Sequence, residues 1–258
     1  MMKELRSASR LILGTRVDGT SYAEATRRVV EWAKAGESRA VFAANVHMVM
    51  EAYDHPAFRA IVNDSDLVTP DGVPLVWSLR LHGVAHATRV YGPDLTPFVL
   101  KAAEEEGISV GFYGGEHAVL DLLMERVRAS HPSLRIAYHE APPFRPMTAE
   151  EDERVVRSIE RSGAKILFVG LGCPKQERWI AEHRGRVPAV MLGVGAAFDF
   201  LAGTKPQAPD WMQAAGLEWV FRLASEPRRL WKRYTKHNPR FVYLLAGQML
   251  KGSLTSGS

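Results

Sequence analysis

A single turn organises the chain: Leu67-Val68-Thr69-Pro70-Asp71-Gly72-Val73-Pro74. One apolar segment ends at Pro70, and a second, running to Leu81, begins directly after Gly72. Proline fixes φ, aspartate can hydrogen-bond its own backbone and glycine accepts positive φ, so the pattern predicts a tight connection between a strand and a helix. Reactive groups of α/β proteins lie at such junctions. Asp71 is therefore either a turn residue or a catalytic carboxylate, and the turn alone does not decide between them.

Strand-like and helix-like segments alternate on both sides of this turn. Before it, a first strand is predicted over Leu11–Val17, a helix follows the capping box at Ser21, and a buried strand ends at Asn45. After it, further strands are predicted over 108–113, 134–138, 165–169 and 189–193, with helices between most of them. Such alternation predicts an α/β fold with a parallel sheet and right-handed crossovers.

The strand signal stops after Gly203, and residues 209–250 are predicted to be helical. We therefore divide the chain into an α/β core, residues 1–203, and a helical C-terminal appendage, residues 204–258. Helix breaks inside the appendage are predicted at Gly216, Pro227 and Pro239.

The appendage carries a basic segment between Arg222 and Arg240, in which seven basic residues face one acid, Glu226. Such a bias predicts an anionic partner, which could be a phosphate group, a nucleic acid or a membrane surface. The apolar run Phe241–Leu245 follows directly and favours the membrane surface. The seven basic residues are Arg222, Arg228, Arg229, Lys232, Arg233, Lys236 and Arg240.

Composition is that of an ordinary soluble protein: of 258 residues, 46% are hydrophobic and 24% are charged. The single cysteine, Cys173, excludes a disulfide framework and fits a reducing compartment. The first ten residues are polar and lack a secretory h-region. No apolar run approaches the ~18 residues that a spanning helix needs. We expect a soluble or peripheral protein.

Two predicted strands end in glycines beside a helix start, at Gly114-Gly115 and at Gly170-Leu171-Gly172. Glycine lets the backbone approach a phosphate, and a helix N-terminus offers free N–H groups to it. Neither turn has the full dinucleotide fingerprint, so nucleotide binding and a plain tight turn both remain open. Lys175 and Gln176, in the next helical turn, could bind a sugar hydroxyl or a phosphate. The alternative is a solvated helix start in which Glu177 complements the helix dipole.

A metal site is not expected. The acidic pair in Asp64-Ser65-Asp66 precedes a strand and follows a helix, whereas metal-binding pairs in nucleotide-sugar enzymes follow a strand. We interpret it as the end of a helix. The nine histidines show no zinc-binding spacing, and His47 is interpreted as a core or rim residue.

Several blocks of sequence then line up, in order, with one family. The sequence resembles the WecG/TagA/CpsF glycosyltransferases over residues 10–245, and it is the combination of blocks that is specific. The blocks are Asn45, Thr69-Pro70-Asp71-Gly72, Arg89-Val90-Tyr91-Gly92-Pro93-Asp94, Phe112-Tyr113-Gly114-Gly115, Gly170-Leu171-Gly172-Cys173-Pro174-Lys175-Gln176-Glu177, the segment 196–203, Ala208-Pro209-Asp210-Trp211, and Gly216-Leu217-Glu218-Trp219 with the basic segment behind it.

The resemblance implies a Rossmann-like, inverting glycosyltransferase without a cofactor or dedicated metal. Its donor would be a UDP-sugar. This could resemble UDP-N-acetylmannosamine, or it could be a UDP-hexose or a UDP-hexuronate. Its acceptor would be a polyprenyl-diphosphate-linked sugar in surface-polysaccharide or cell-wall synthesis. The protein would lie peripherally on the cytoplasmic membrane face through its basic segment and bind no nucleic acid. The sequence leaves a homo-oligomer open.

The resemblance also implies roles for individual residues. Asp71 matches the general base, Asn45 an adjacent catalytic position and Gln176 a substrate contact. The sequence departs from the family pattern at Ala43, two positions before Asn45, where many members of the family have a residue with a hydroxyl group. Inverting transfer needs a base and positive charge near the leaving diphosphate, so we now interpret Asp71 as the base. Substrate contacts are implied at the remaining block positions: Arg89, Gly92, Asp94, Gly114, Gly115, Gly170, Gly172, Lys175, Glu177, Arg222, Arg229 and Arg233.

Two other classes compete with this interpretation. The basic segment could bind nucleic-acid phosphates, with Trp231 and Tyr234 stacking on bases. The same sheet could also serve an NAD-dependent oxidoreductase, which the missing fingerprint disfavours.

Overall fold

The computed structural model describes residues 8–250, which contain eight strands and twelve helices. The strands are β1 (Ser9–Ile12), β2 (Thr15–Asp18), β3 (Arg39–Ala44), β4 (Leu67–Pro70), β5 (Val110–Gly114), β6 (Ile136–Glu140), β7 (Ile166–Gly170) and β8 (Val190–Gly193). The helices are α1 (Tyr22–Lys34), α2 (Val46–Asp54), α3 (Pro56–Asp64), α4 (Val73–Leu81), α5 (Gly92–Glu105), α6 (His117–Ser130), α7 (Ala149–Ser162), α8 (Lys175–His183), α9 (Ala197–Ala202), α10 (Asp210–Ala214), α11 (Glu218–Ser225) and α12 (Pro227–Leu250).

Six strands form one parallel sheet in the order β4-β3-β8-β7-β5-β6. Its strands are largely apolar because most are buried on both faces, whereas the edge strand β6 is partly exposed. Alternate residues supply two separate cores: Phe42 and Leu167 pack on one face, and Val41 and Phe168 on the other. The α/β, Rossmann-like architecture with a helical C-terminal segment is thus confirmed.

The first predicted strand is wrong, because Leu11–Val17 is split between β1 and β2 of an antiparallel hairpin. Leu13 and Gly14 both have positive φ, which reverses the chain in two residues. The hairpin forms its own two-stranded sheet. Sequence reasoning missed it because leucine rarely adopts positive φ.

The helix break predicted at Pro239 is also wrong, since α12 continues through that proline. Leu230 and Phe241 are buried on either side of it, and this packing holds the helix in place across the local defect. The breaks predicted at Gly216 and Pro227 do separate α10, α11 and α12.

Helix α12 packs on the core instead of standing apart from it. Its Arg240 pairs with Asp54 at the end of α2, and its Gln248 exchanges two hydrogen bonds of 2.8 Å with the backbone of Leu11 and Leu13. The domain boundary after Gly203 stays a prediction. Within residues 8–250, no helix combines the length and hydropathy needed to cross a bilayer.

Gly114 lies where β5 and β7 end side by side, and we expect its replacement to be costly. A Cβ atom there would lie 2.6 Å from backbone atoms of Gly170, and φ is +126°. We predict that Gly114→Ala lowers the free energy of unfolding by about 3 kcal/mol or more, measured by urea denaturation.

The matched control for this prediction is Gly36→Ala. Gly36 also has positive φ, +69°, but a Cβ atom would have open space around it. Only the backbone strain of roughly 1–2 kcal/mol should appear there. Equal losses in the two variants would contradict the proposed clash.

Candidate active site

The carboxyl edge of the sheet brings Asn45 and Asp71 together. Asn45 directly follows β3 and Asp71 directly follows β4, and these two strands are neighbours. The backbone N–H groups of Asp71 and Gly72 donate to the carbonyl of Ala44 at 2.9 and 3.3 Å. Asn45 caps α2, with its Oδ1 accepting from the N–H of Met48, so a ligand would meet its NH2 group.

Asp71 is half-buried, and its environment makes it suited to proton transfer. Its Oδ2 accepts a 3.3 Å hydrogen bond from the N–H of Gly92. Burial raises the pKa of Asp71 to about 7; the nearby Arg89 opposes this shift and Glu218 adds to it. A carboxyl group with such a pKa exists in both protonation states near neutrality, which is the property of an efficient general base.

Arg89 joins the core to the C-terminal helices at this point. Its Nε donates to the carbonyl of Asp71 at 2.8 Å, and its Nη2 forms an ion pair with Glu218 of α11. Its guanidinium lies 4.2 Å from the centre of the Tyr91 ring. The position of the Asp71 backbone therefore depends on a contact with α11.

A cleft of about 570 Å³ opens at this edge and is lined by five of the predicted site residues. Two of them, Arg222 and Arg233, each have a buried Nε with no hydrogen-bond partner in the described part of the chain. Burial lowers the pKa of Arg233. A buried, unpaired guanidinium N–H is costly, and a phosphate oxygen would satisfy it. The five residues are Asn45, Asp71, Arg89, Arg222 and Arg233.

Gln176 and Glu177 lie beneath the neighbouring loops instead of lining the cleft. The Gln176 Oε1 accepts from the N–H groups of Gly172 and Gly195 at 3.2 and 3.1 Å, which ties together the loops after β7 and β8. Its Nε2 donates to Glu177, and both side chains are at most 4% exposed. The solvated helix start is therefore wrong. Burial raises the pKa of Glu177 to about 7. Lys175 is exposed, and its substrate role stays a prediction.

The other predicted substrate-contact residues are spread around the same edge. Gly92 is buried, with Ala43 and Val194 close to where its Cβ would lie. The Asp94 carboxylate accepts from the Tyr22 hydroxyl at 3.2 Å. The remaining predicted glycines lie at the ends of β5 and β7: Gly114 and Gly170 are the last residues of these strands, and Gly115 and Gly172 lie in the turns that follow.

Several side chains of the basic segment are already engaged with acidic residues of the protein. Arg222 approaches Glu218, Arg229 pairs with Glu226 and Arg240 pairs with Asp54. Three of the seven basic residues are exposed without an acidic partner within residues 8–250: Arg228, Lys232 and Lys236. Part of the apolar run Phe241–Leu245 is not available to a membrane, because Phe241, Leu244 and Leu245 pack on the core.

Sequence reasoning missed a cluster of His47, Glu51 and His237 beside the cleft. Their potential ligand atoms all lie within 4.8 Å of one another. Burial, together with the positive charge of Arg233, lowers the pKa of His47 to about 3. That charge also opposes a bound cation. By contrast, Asp64 is the last residue of α3 and Asp66 lies just before β4, as the interpretation of a helix end predicts. Both carboxylates also form ion pairs with arginines.

Comparison with known proteins places this geometry in a family. The model of the glycosyl transferase WecG/TagA/CpsF family matches residues 10–254. The chain belongs to this family. It is therefore a glycosyltransferase, and the nucleic-acid and oxidoreductase alternatives lose their support.

Three curated relatives carry the same name, N-acetylglucosaminyldiphosphoundecaprenol N-acetyl-beta-D-mannosaminyltransferase. The protein from Bacillus spizizenii is 31% identical over 194 residues, which cover 75% of this chain and 73% of the relative. Those from Staphylococcus aureus strains MW2 and NCTC 8325 are each 27% identical over 238 residues, covering 91% of both chains.

The raised pKa of Asp71 predicts a pH-dependent effect of Asp71→Asn on stability. The fold favours the protonated carboxyl, so this group makes the wild type less stable as the pH rises from its ordinary value of 3.8 to about 7. Asparagine does not titrate. We expect the free energy of unfolding of the variant, relative to wild type, to increase between about pH 5 and about pH 8.

Urea denaturation of both proteins at the two pH values checks this prediction. Both proteins contain Glu177, so the effect of its titration cancels when the free energy of unfolding of the wild type is subtracted from that of the variant. A difference that does not change with pH would show that the fold does not raise the pKa of Asp71.

Proposed function

We propose that this chain transfers a sugar from a UDP-sugar to a polyprenyl-diphosphate-linked acceptor, with inversion at the anomeric carbon. The names of the relatives support N-acetylmannosamine as the sugar and N-acetylglucosamine-diphospho-undecaprenol as the acceptor. The product would serve cell-wall or surface-glycan synthesis. The observation that carries the proposal is one cleft lined by a carboxyl group with a pKa of about 7 and by two arginines whose buried Nε–H groups have no hydrogen-bond partner within residues 8–250.

Asp71 acts as the general base in this mechanism. Its carboxylate removes the proton from the acceptor hydroxyl, whose oxygen attacks the anomeric carbon of the donor. The bond from that carbon to the diphosphate breaks on the opposite face, and UDP leaves with the electron pair. A single displacement of this kind inverts the anomeric configuration. The Asn45 NH2 group, beside Asp71 at the same edge, orients the acceptor sugar by hydrogen bonding.

Positive charge in the site stabilises the diphosphates. Arg222 and Arg233 present unpaired Nε–H groups, which form strong charge-assisted bonds with phosphate oxygens. Gly172 has open space where its Cβ would lie, so a phosphate group can approach the backbone there beside the N-terminus of α8. The chain thereby offers positive groups to both the leaving diphosphate of the donor and the diphosphate of the acceptor, without requiring a metal ion.

A lipid-linked acceptor places the reaction at a membrane surface. The exposed cations Arg228, Lys232 and Lys236 would each contribute about 1 kcal/mol near an anionic leaflet. This attachment is peripheral and reversible, and it is weaker than seven free cations would give. We assign the protein to the cytoplasmic face, where a UDP-sugar is available.

Removing the base tests the mechanism directly. We predict that Asp71→Asn lowers the rate of transfer by about 10²–10⁴-fold, because the amide cannot accept the hydroxyl proton. Donor binding, measured by calorimetry with the UDP-sugar, should be retained. In the wild type, kcat/KM should rise about tenfold per pH unit up to about pH 7 and then level off.

Asp64→Asn is the matched control, since Asp64 is exposed at the end of α3 and lies outside the cleft. It should keep wild-type turnover. Turnover of Asp71→Asn within a few-fold of wild type would return Asp71 to the role of a turn residue.

Chelation tests the expected independence from metal. We predict that transfer continues in EDTA, because guanidiniums and helix N-termini supply the positive charge that a cation would otherwise provide. Complete loss of activity, restored by Mg²⁺ or Mn²⁺, would contradict this mechanism. The cluster of His47, Glu51 and His237 would then be the first site to mutate.

A further inference from the structure

The cleft has a polar end and an apolar end. The polar end contains Asp71, Arg89 and the two guanidiniums. Beyond them the walls are hydrocarbon, supplied by one face of α4 and one face of the last turns of α12. We call these residues the apolar trough: Val73, Pro74, Trp77, Ser78 and Leu81 on α4, and Phe241, Val242, Leu245, Ala246 and Met249 on α12.

Phe241 and Leu245 of the trough also pack on the core, but folding does not explain why the exposed trough residues are apolar. On α4, Leu75 and Leu79 already supply the core face and are fully buried. Trp77 and Leu81 lie on the other side and are 56% and 66% exposed. Val242 of α12 is 65% exposed. A continuous exposed apolar surface with a polar end is typical of a binding site.

We propose that the trough holds the first isoprene units of the acceptor's polyprenyl chain. The inference rests on the proposed function and extends it from the reacting sugar to the lipid. A diphosphate bound at Arg222 and Arg233 has the sugar on one side and the prenol on the other. With the sugar at Asp71, the prenol must leave the polar end by another route, and the trough begins there.

The arrangement of residues along the two helices indicates in which direction the prenyl chain runs from its diphosphate. Helix α4 starts two residues after Asp71, and its wall extends from Val73 to Leu81, about 12 Å along the helix. On α12 the lining changes from Arg233 to Met249 over about 24 Å, polar first and apolar afterwards. The α12 wall therefore becomes apolar with increasing distance from the charged end, as the acceptor lipid does with increasing distance from its diphosphate, and the α4 wall is apolar apart from Ser78.

The chemistry of the walls favours a hydrocarbon over a sugar or nucleotide. None of the ten trough residues is charged. The one hydroxyl, of Ser78, already donates to the carbonyl of Pro74 at 2.8 Å. Sugars and bases need hydrogen-bonding partners that these walls do not offer, whereas a prenyl chain loses nothing by entering them.

The experiment compares two acceptors, N-acetylglucosamine diphosphate linked to undecaprenol and the same group linked to a short, water-soluble alkyl chain. We expect Trp77→Ser combined with Leu81→Ser to lower the ratio of kcat/KM for the long acceptor to that for the short one by about tenfold or more. A ratio equal to that of wild type would overturn the proposal. Because a ratio is measured, a general loss of active protein does not affect it.

Tyr243→Ser is the matched control, since Tyr243 lies on α12 outside the cleft and is 78% exposed. It should keep the wild-type ratio. If it lowers the ratio as much as the double variant does, the surface contacts a bilayer instead of a single chain, and the proposal is overturned.

Photo-crosslinking gives a second readout that does not require turnover. A farnesyl diphosphate with a photoreactive terminal isoprene should label peptides containing residues 73–81 or 241–249, and labelling only elsewhere would overturn the proposal. A wild-type protein that transfers sugar to neither acceptor would refute the proposed function itself. Failure of the trough alone would leave transfer to both acceptors intact.

Discussion

The site depends on one carbonyl oxygen. Ala44, the last residue of β3, accepts hydrogen bonds from the N–H groups of both Asp71 and Gly72. This shared acceptor holds the ends of β3 and β4 in register. It also fixes the positions of the residues that directly follow each strand. Asn45 and Asp71, separated by 26 positions in sequence, thereby meet at one edge.

The C-terminal helices complete the electrostatics of this edge. Arg89 bonds the backbone of Asp71 and is itself paired with Glu218 of α11. Arg222 of α11 adds positive charge near the same carboxyl group, and Arg233 of α12 lines the same cleft. A core without these helices would keep the base but lose the cations, so catalysis and the proposed recognition of a diphosphate are parts of one assembly.

The sequence predicts those features of the fold that local pattern determines. Strand and helix alternation, the turn at Asp71 and the end of α3 at Asp64 all depend on residues close together in sequence. The hairpin at Leu13 was missed because its turn uses a residue that rarely adopts positive φ. The role of Glu218 could not be predicted, because its partner Arg89 lies 129 residues earlier. The same holds for His237, which meets Glu51 through the packing of α12 on α2.

The two hydrogen bonds between Gln248 and the first hairpin have a consequence for biosynthesis. They join positions 235 and 237 residues apart, so the first and last described elements close against each other. Contacts of such separation form late in folding, since residues 11 to 248 must all leave the ribosome before both partners are available. Arg233 lies on the same helix as Gln248, about four helical turns before it. The guanidinium of Arg233 is therefore fixed in the cleft only after residue 248 has been synthesised, and a shorter nascent chain has the carboxylate of Asp71 without the charge that stabilises a leaving diphosphate.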